Sequence, residues 1–268
     1  MSDTREYVLG TNDEELARLD LQHSVWRDTS EGALDRAGIG PGATVLDLGC
    51  GPGFVTLDLA ARVGASGRVV ALDESPKWHE VLRTRSFDAP VDLVEQRIED
   101  ADLGEARFDG VFARWVLSFL SDLDETAERV ARALRPGGAF VVQDYNHEGI
   151  SVFPRSTGFE AAIRATRAFY AGARGDAWVV GQLPGALRRA GLVVDDLRPV
   201  VRCGGPGSDA FRWADAFFPR FVDTYLDRGL MTAAERRAFD ADWSAMRENP
   251  DALFFSPIVV EVIARKPD

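Results

Sequence analysis

Val45–Phe54 reads VLDLGCGPGF. A short apolar run of buried-strand type leads into three glycines at alternate positions, Gly49, Gly51 and Gly53. Glycine lets the backbone turn sharply and lets a ligand approach closely. A helix opening just after such a turn offers free N–H groups and a partial positive charge to an anionic group. The dinucleotide fingerprint is G-x-G-x-x-G. Here the third glycine comes one position early and Pro52 stiffens the turn, which counts against a nicotinamide dinucleotide.

Outward from this turn, residues 43–144 alternate short apolar strands with amphipathic helices. ATVLDLG, GRVVALD, VDLVEQ, FDGVFARW and AFVVQDY read as strands. FVTLDLAARVG, SPKWHEVLRTRSF and LDETAERVARALR read as helices, the second opened by the Ser75–Pro76 pair. Such alternation predicts an α/β doubly wound, Rossmann-like, mostly parallel sheet. VVDDLRPVVR and SPIVVEVIARKP bring the strand count to seven. Asn12–Ala37 reads as a helix, a candidate lid over the ligand or a packing helix. The chain is read as one domain over 1–268: an N-terminal helical lid (1–36), a cofactor-binding core (37–145), and the rest of the sheet with helical cap insertions (146–268).

The second strand ends in Asp73, twenty residues past Gly53, with Glu74 next to it. A carboxylate there can accept hydrogen bonds from both hydroxyls of a ribose. Its plain alternative is a strand-end acid or helix cap. Turn, acid and alternation together point to a nucleoside cofactor.

Composition narrows the class. In 268 residues, 46% are hydrophobic and 28% charged, as in a globular protein. The net charge of -12 disfavours a nucleic-acid partner. The two cysteines, Cys50 and Cys203, lie near no other metal ligands, so no zinc site or disulfide framework is expected. No apolar run approaches a membrane span and no signal region opens the chain, which reads as cytoplasmic.

The stretches VLDLGCGPGF, VVALDES, FDGVFARWVLSFL and LRPGGAFVVQDY, in that order, resemble the motifs of class I S-adenosylmethionine-dependent methyltransferases. The likeness covers about residues 41–145. YVLGTNDEELARLDLQHSVWR resembles the opening of a bacterial small-molecule subgroup whose N-terminal segment folds over the cofactor. The resemblance implies that Asp47, Gly49, Gly51 and Gly53 line the methionine end of S-adenosylmethionine. It gives Asp73 the ribose diol, with Glu74 and Ser75 beside the adenosine, and Glu99 or Asp100 the adenine amino group. Arg114 and Trp115 would border the sulfonium, with Trp115 alternatively core. Tyr7, His23 and Trp26 match lid positions, His23 alternatively pairing with a nearby carboxylate. Phe119 stands where the subgroup often has His.

The reaction implied is methyl transfer from a sulfonium to a small-molecule acceptor, by O- or N-methylation. A base helps where the acceptor is a hydroxyl, and His suits that task. His147, just after the fifth strand, is the candidate, with Tyr145 and Asp144 as neighbours; the alternative is a polar loop residue. His79 is expected at the surface. The insertions are aromatic: Phe153, Phe159, Phe169, Tyr170 and Trp178, then Phe211, Trp213, Phe217, Phe218, Phe221 and Tyr225. They suit an apolar or aromatic acceptor pocket, ordinary helix core, or the surface of a homodimer. The competing readings are a cofactor-binding protein without methyl transfer and an NAD-dependent oxidoreductase.

Overall fold

A computed structural model describes residues 12–172 and 176–268. The elements run α1 (Asp13–Ala37), β1 (Thr44–Leu48), α2 (Phe54–Val63), β2 (Arg68–Asp73), α3 (Pro76–Arg83), β3 (Val91–Glu95) and β4 (Phe108–Arg114). They continue with α4 (Leu123–Ala133), β5 (Leu134–Asn146), β6 (Ser151–Phe153), α5 (Thr157–Gly172), α6 (Leu183–Arg189) and β7 (Val193–Val200). Last come β8 (Cys203–Gly204), α7 (Asp209–Asp227), α8 (Ala233–Glu248), β9 (Leu253–Phe255) and β10 (Ile258–Arg265).

The chain divides into two compact units. The first takes the residues up to Asp144, Val179–Arg198 and Val260–Asp268; the second takes Tyr145–Trp178 and Pro199–Val259.

The first unit is built on a seven-stranded sheet of order β3-β2-β1-β4-β5-β10-β7. β1 pairs in parallel with β2 and β4, β2 with β3, and β4 with β5. Neighbours along each strand face opposite sides. Val45, Phe112 and Val141 therefore join Leu34, Leu59 and Val63 in one apolar layer, with α1 and α2. Leu46, Val111 and Val142 join Val130, Leu183 and Leu187 in the other, with α4 and α6. Both faces are covered, which is why these strands read as nearly continuous apolar runs. The order reverses beside β1, and in such sheets ligands bind past the carboxyl ends of the strands at that reversal.

Local chemistry sets the ends of α1. Asn12 accepts from the Glu15 N–H at the start, and Gly38 takes the left-handed conformation (φ +73°) at the finish. The expected helix over Asn12–Ala37 thus forms in full.

The second unit holds α5, α7 and α8 with a separate antiparallel sheet of order β6-β9-β8. This sheet departs from the expectation of purely helical insertions. Its strands span three, two and three residues, too short for a period of two to declare itself. The aromatics mostly form this unit's core. Phe159, Phe211 and Phe239 stack on Trp243 at centroid distances of 5.5, 5.0 and 5.9 Å. Phe153 and Trp178 are exposed.

Candidate cofactor site and a buried histidine cluster

The turn after β1 carries three left-handed glycines, with φ of +74°, +53° and +81° at Gly49, Gly51 and Gly53. They are not equivalent. A Cβ on Gly49 would lie 2.5 Å from a Val116 methyl carbon, and one on Gly53 would lie 2.0 Å from a Leu82 methyl carbon. Those two glycines seat the turn against the loop after β4 and against α3. A Cβ on Gly51 would meet nothing within 4 Å. Open space thus lies at the middle glycine. Helix α2 begins at Gly53 with no side-chain cap and no acid in its first turn, leaving its amino end available to an anionic group.

Two carboxylates flank the turn. Asp73, at the end of β2, accepts from the Gly51 N–H at 2.8 Å and the Ser75 N–H at 2.9 Å. Burial raises its pKa, and those two N–H groups hold the rise down. Ser75 also caps α3, accepting from the Trp78 N–H. Asp47, in β1, is buried and accepts from the Thr56 hydroxyl at 2.7 Å. Burial pushes its pKa up to about 7, against the pull of Thr56 and the Arg114 guanidinium.

His79 corrects the expectation of a surface residue. It is fully buried, and its Nε2–H donates to the Asp73 carbonyl at 3.0 Å. The Ser75–Pro76 cap turns the first face of α3 under the end of β2, so His79 braces the strand that carries the acid.

Arg114, at the end of β4, is anchored to α1. Its guanidinium donates to the Ser30 hydroxyl at 3.0 Å and to His23 Nδ1 at 3.0 Å. Arginine has no lone pair to offer, so Nδ1 is the acceptor and the ring proton sits on Nε2. That nitrogen faces the Asp58 carboxylate at 3.2 Å. His23 thus realises the carboxylate-pairing alternative, with both ring nitrogens engaged. Ser30 donates to Gln143, which donates to Glu261, which accepts from Arg36 at 2.6 Å. This buried polar chain ties α1 to β4, β5 and β10. Trp115 has φ +57° and packs edge-on against Trp26 at 5.5 Å, with the Arg114 guanidinium 4.6 Å from its ring centroid.

Glu74, Glu99 and Asp100 gather around Arg97, at 3.8, 3.4 and 3.9 Å. The Glu99 backbone carbonyl also accepts from Arg129. Tyr7 lies outside the described residues. The sequence reading did not single out Thr56, Ser30, Gln143 or Asp58. Only Thr56 carried a signal, as a hydroxyl in the first turn of the helix that follows the glycines.

Tyr145 and His147 belong to the second unit. His147 opens a short 3-10 turn over His147–Gly149 and is 4% exposed. Its ring meets Tyr145 and Tyr170 edge-on, at centroid distances of 5.3 and 5.2 Å. Its backbone is held at both ends: the N–H donates to Ala177, and the carbonyl accepts from Arg167 at 2.7 Å. Neither ring nitrogen has a hydrogen-bond partner among the described residues. Burial, then the Arg167 charge, lowers the pKa of His147 to about 4. The imidazole is therefore neutral and a weak base at neutral pH.

The order of the doubly wound sheet, the glycine turn after β1 and the acid at the end of β2 agree with the class I S-adenosylmethionine-dependent methyltransferase motifs read in the sequence. Residues 46–142, which hold the turn and the acid, match the family described as Methyltransferase domain. Among curated relatives, the 2-phytyl-1,4-naphtoquinone methyltransferase of Trichormus variabilis is 30% identical over 129 residues, 47% of this chain and 55% of that protein. The ubiquinone biosynthesis O-methyltransferase of a Methylobacterium species is 31% identical over 178 residues, 60% of this chain and 64% of that protein. The chain thus spans about half to two thirds of these relatives' length. The solved geranyl diphosphate C-methyltransferase of Streptomyces coelicolor A3(2), in complex with S-adenosyl-L-homocysteine, has a similar fold. Its TM-score is 0.55 at 15% identity, covering 91% of this chain and 77% of that one. No helix among the described residues is long and apolar enough to cross a membrane.

Proposed function

We propose that the protein transfers a methyl group from S-adenosylmethionine to a small-molecule acceptor, by O- or N-methylation of an apolar or aromatic metabolite, in the cytoplasm. The carrying observation is the partly buried Asp73 carboxylate bonded to Gly51, beside open space at that same glycine. Asp73 would take the ribose hydroxyls, and Asp47 and the glycine turn the methionine end. The uncapped start of α2 would receive the carboxylate. Glu74, Ser75 and Glu99 or Asp100 fall to the adenosine, Arg114 and Trp115 to the sulfonium. Trp26, edge-on to Trp115, would border the cofactor with it. The cofactor, when bound, supplies an electrophilic methyl group and a neutral thioether leaving group. The chain's own residues hold that group and the acceptor in line and exclude water.

The quinone-related relatives support a flat acceptor. Titration calorimetry with S-adenosylhomocysteine and with NADH tests the cofactor. Binding of S-adenosylhomocysteine alone is expected, and binding of NADH alone overturns the reading. Formation of S-adenosylhomocysteine from S-adenosylmethionine with phenols, amines and carboxylic acids tests the transfer. Cofactor binding with no turnover on any acceptor would favour a non-transferring binding protein.

A further inference from the structure

The second unit contains a group of buried polar atoms that the cofactor site does not use. Among the described residues, both ring nitrogens of His147 lack a partner, and so does the buried Nε–H of Arg167, whose guanidinium donates to the His147 carbonyl. An unmade hydrogen bond on a buried polar atom carries a real cost. Three such atoms on two touching residues call for a ligand. Tyr145 and Tyr170 flank the imidazole with their rings. The Arg167 guanidinium carbon lies 5.7 Å from the Trp178 ring centroid, and Trp178 donates its indole N–H to Glu148 at 3.0 Å. Glu148 stands 3.5 Å from Arg167, a long pair that leaves Nε–H unengaged.

We propose that His147 and Arg167 bind the ionised oxygen of an aromatic acid, a phenolate or a carboxylate, within the second unit. The chemistry of the donors selects it. A neutral imidazole gives one N–H, Arg167 gives another, and Arg167 makes the potential at the ring positive. That suits an oxyanion and opposes an ammonium ion. The flanking tyrosine rings suit a flat body.

The chain has three histidines, so nitrogen-15 histidine labelling gives three ring signals to follow by NMR. The probes are 4-nitrophenol, benzoate, its neutral methyl ester and benzylamine, each added with S-adenosylhomocysteine present. Both acids should shift one ring's signals, the signals that vanish in His147→Phe. The ester and the amine should bind at least about tenfold more weakly than the acids. Arg167→Met should weaken the acids at least about tenfold, with recovery in Arg167→Lys. S-adenosylhomocysteine affinity should stay unchanged in every variant. Equal or tighter binding of benzylamine overturns the proposal. So does unaltered acid binding in His147→Phe, or no acid binding at millimolar concentration.

Discussion

Asp73 and Gly51 are bonded to each other directly, a carboxylate oxygen accepting the glycine N–H at 2.8 Å. The acid that would hold a ribose also fixes the turn that would hold the methionine. Asp73→Ala should therefore weaken S-adenosylhomocysteine binding by roughly 1–3 kcal/mol. Asp73→Asn, which keeps one acceptor for Gly51, should lose less. Calorimetric affinities check this, and unchanged affinity in Asp73→Ala removes the residue from the site.

Gly51 and Gly53 should respond oppositely to alanine. Gly53→Ala places a methyl group against Leu82 at φ +81°, so the loss falls on stability, roughly 1–3 kcal/mol. Gly51→Ala meets nothing within 4 Å, so its stability cost should be only about 1 kcal/mol from φ +53°. Its methyl group enters the open space, and cofactor affinity should fall. Thermal midpoints and binding constants, read together, separate the two.

Asp47 gives a pH signature. Its folded pKa of about 7 lies above the usual 3.8, so between those values the folded state binds the extra proton. Stability from this group is fully present at acid pH and falls as pH rises across that window, by on the order of a few kcal/mol. Asp47→Asn should flatten that slope. The ammonium of the cofactor's methionine end would favour the ionised carboxylate. S-adenosylhomocysteine affinity should accordingly rise as pH climbs through about 7, and Asp47→Asn should remove the rise.

Gln143 is buried between the Ser30 hydroxyl and the Glu261 carboxylate. Gln143→Leu leaves both without that partner, and denaturant unfolding should show a loss of roughly 2–4 kcal/mol. Gln143→Glu puts a second carboxylate against Glu261 and should cost as much or more.

The central strands were legible because strands covered on both faces write long apolar runs, as Val45–Leu48 and Phe140–Val142 do. The glycine turn and Asp73 were legible because their chemistry depends on spacing along the chain. The brackets around them were not. Ser30, Gln143 and Glu261 come together from α1, β5 and β10, more than a hundred residues apart along the chain, and no local pattern announces such a meeting. His79 misled because a polar residue in a short helix ordinarily faces water, and here a strand-end carbonyl claims it. The insertion aromatics were ambiguous for a different reason. Helical spacing marks a buried face without saying whether a ligand or another ring covers it, and Trp243, which was not singled out, is where Phe159, Phe211 and Phe218 converge.

The sheet order places β10, its last strand in the chain, in the interior between β5 and β7. A ribosome delivers that strand after all the others. Until Ile258–Arg265 emerges, β5 has no neighbour on one side and β7 has no sheet to join. From the completion of β5 until Ile258–Arg265 emerges, the nascent chain therefore carries an open, apolar edge, the kind of edge that captures foreign strands. A copy cut short before Ile258 would keep the whole glycine turn and still present that edge to other chains.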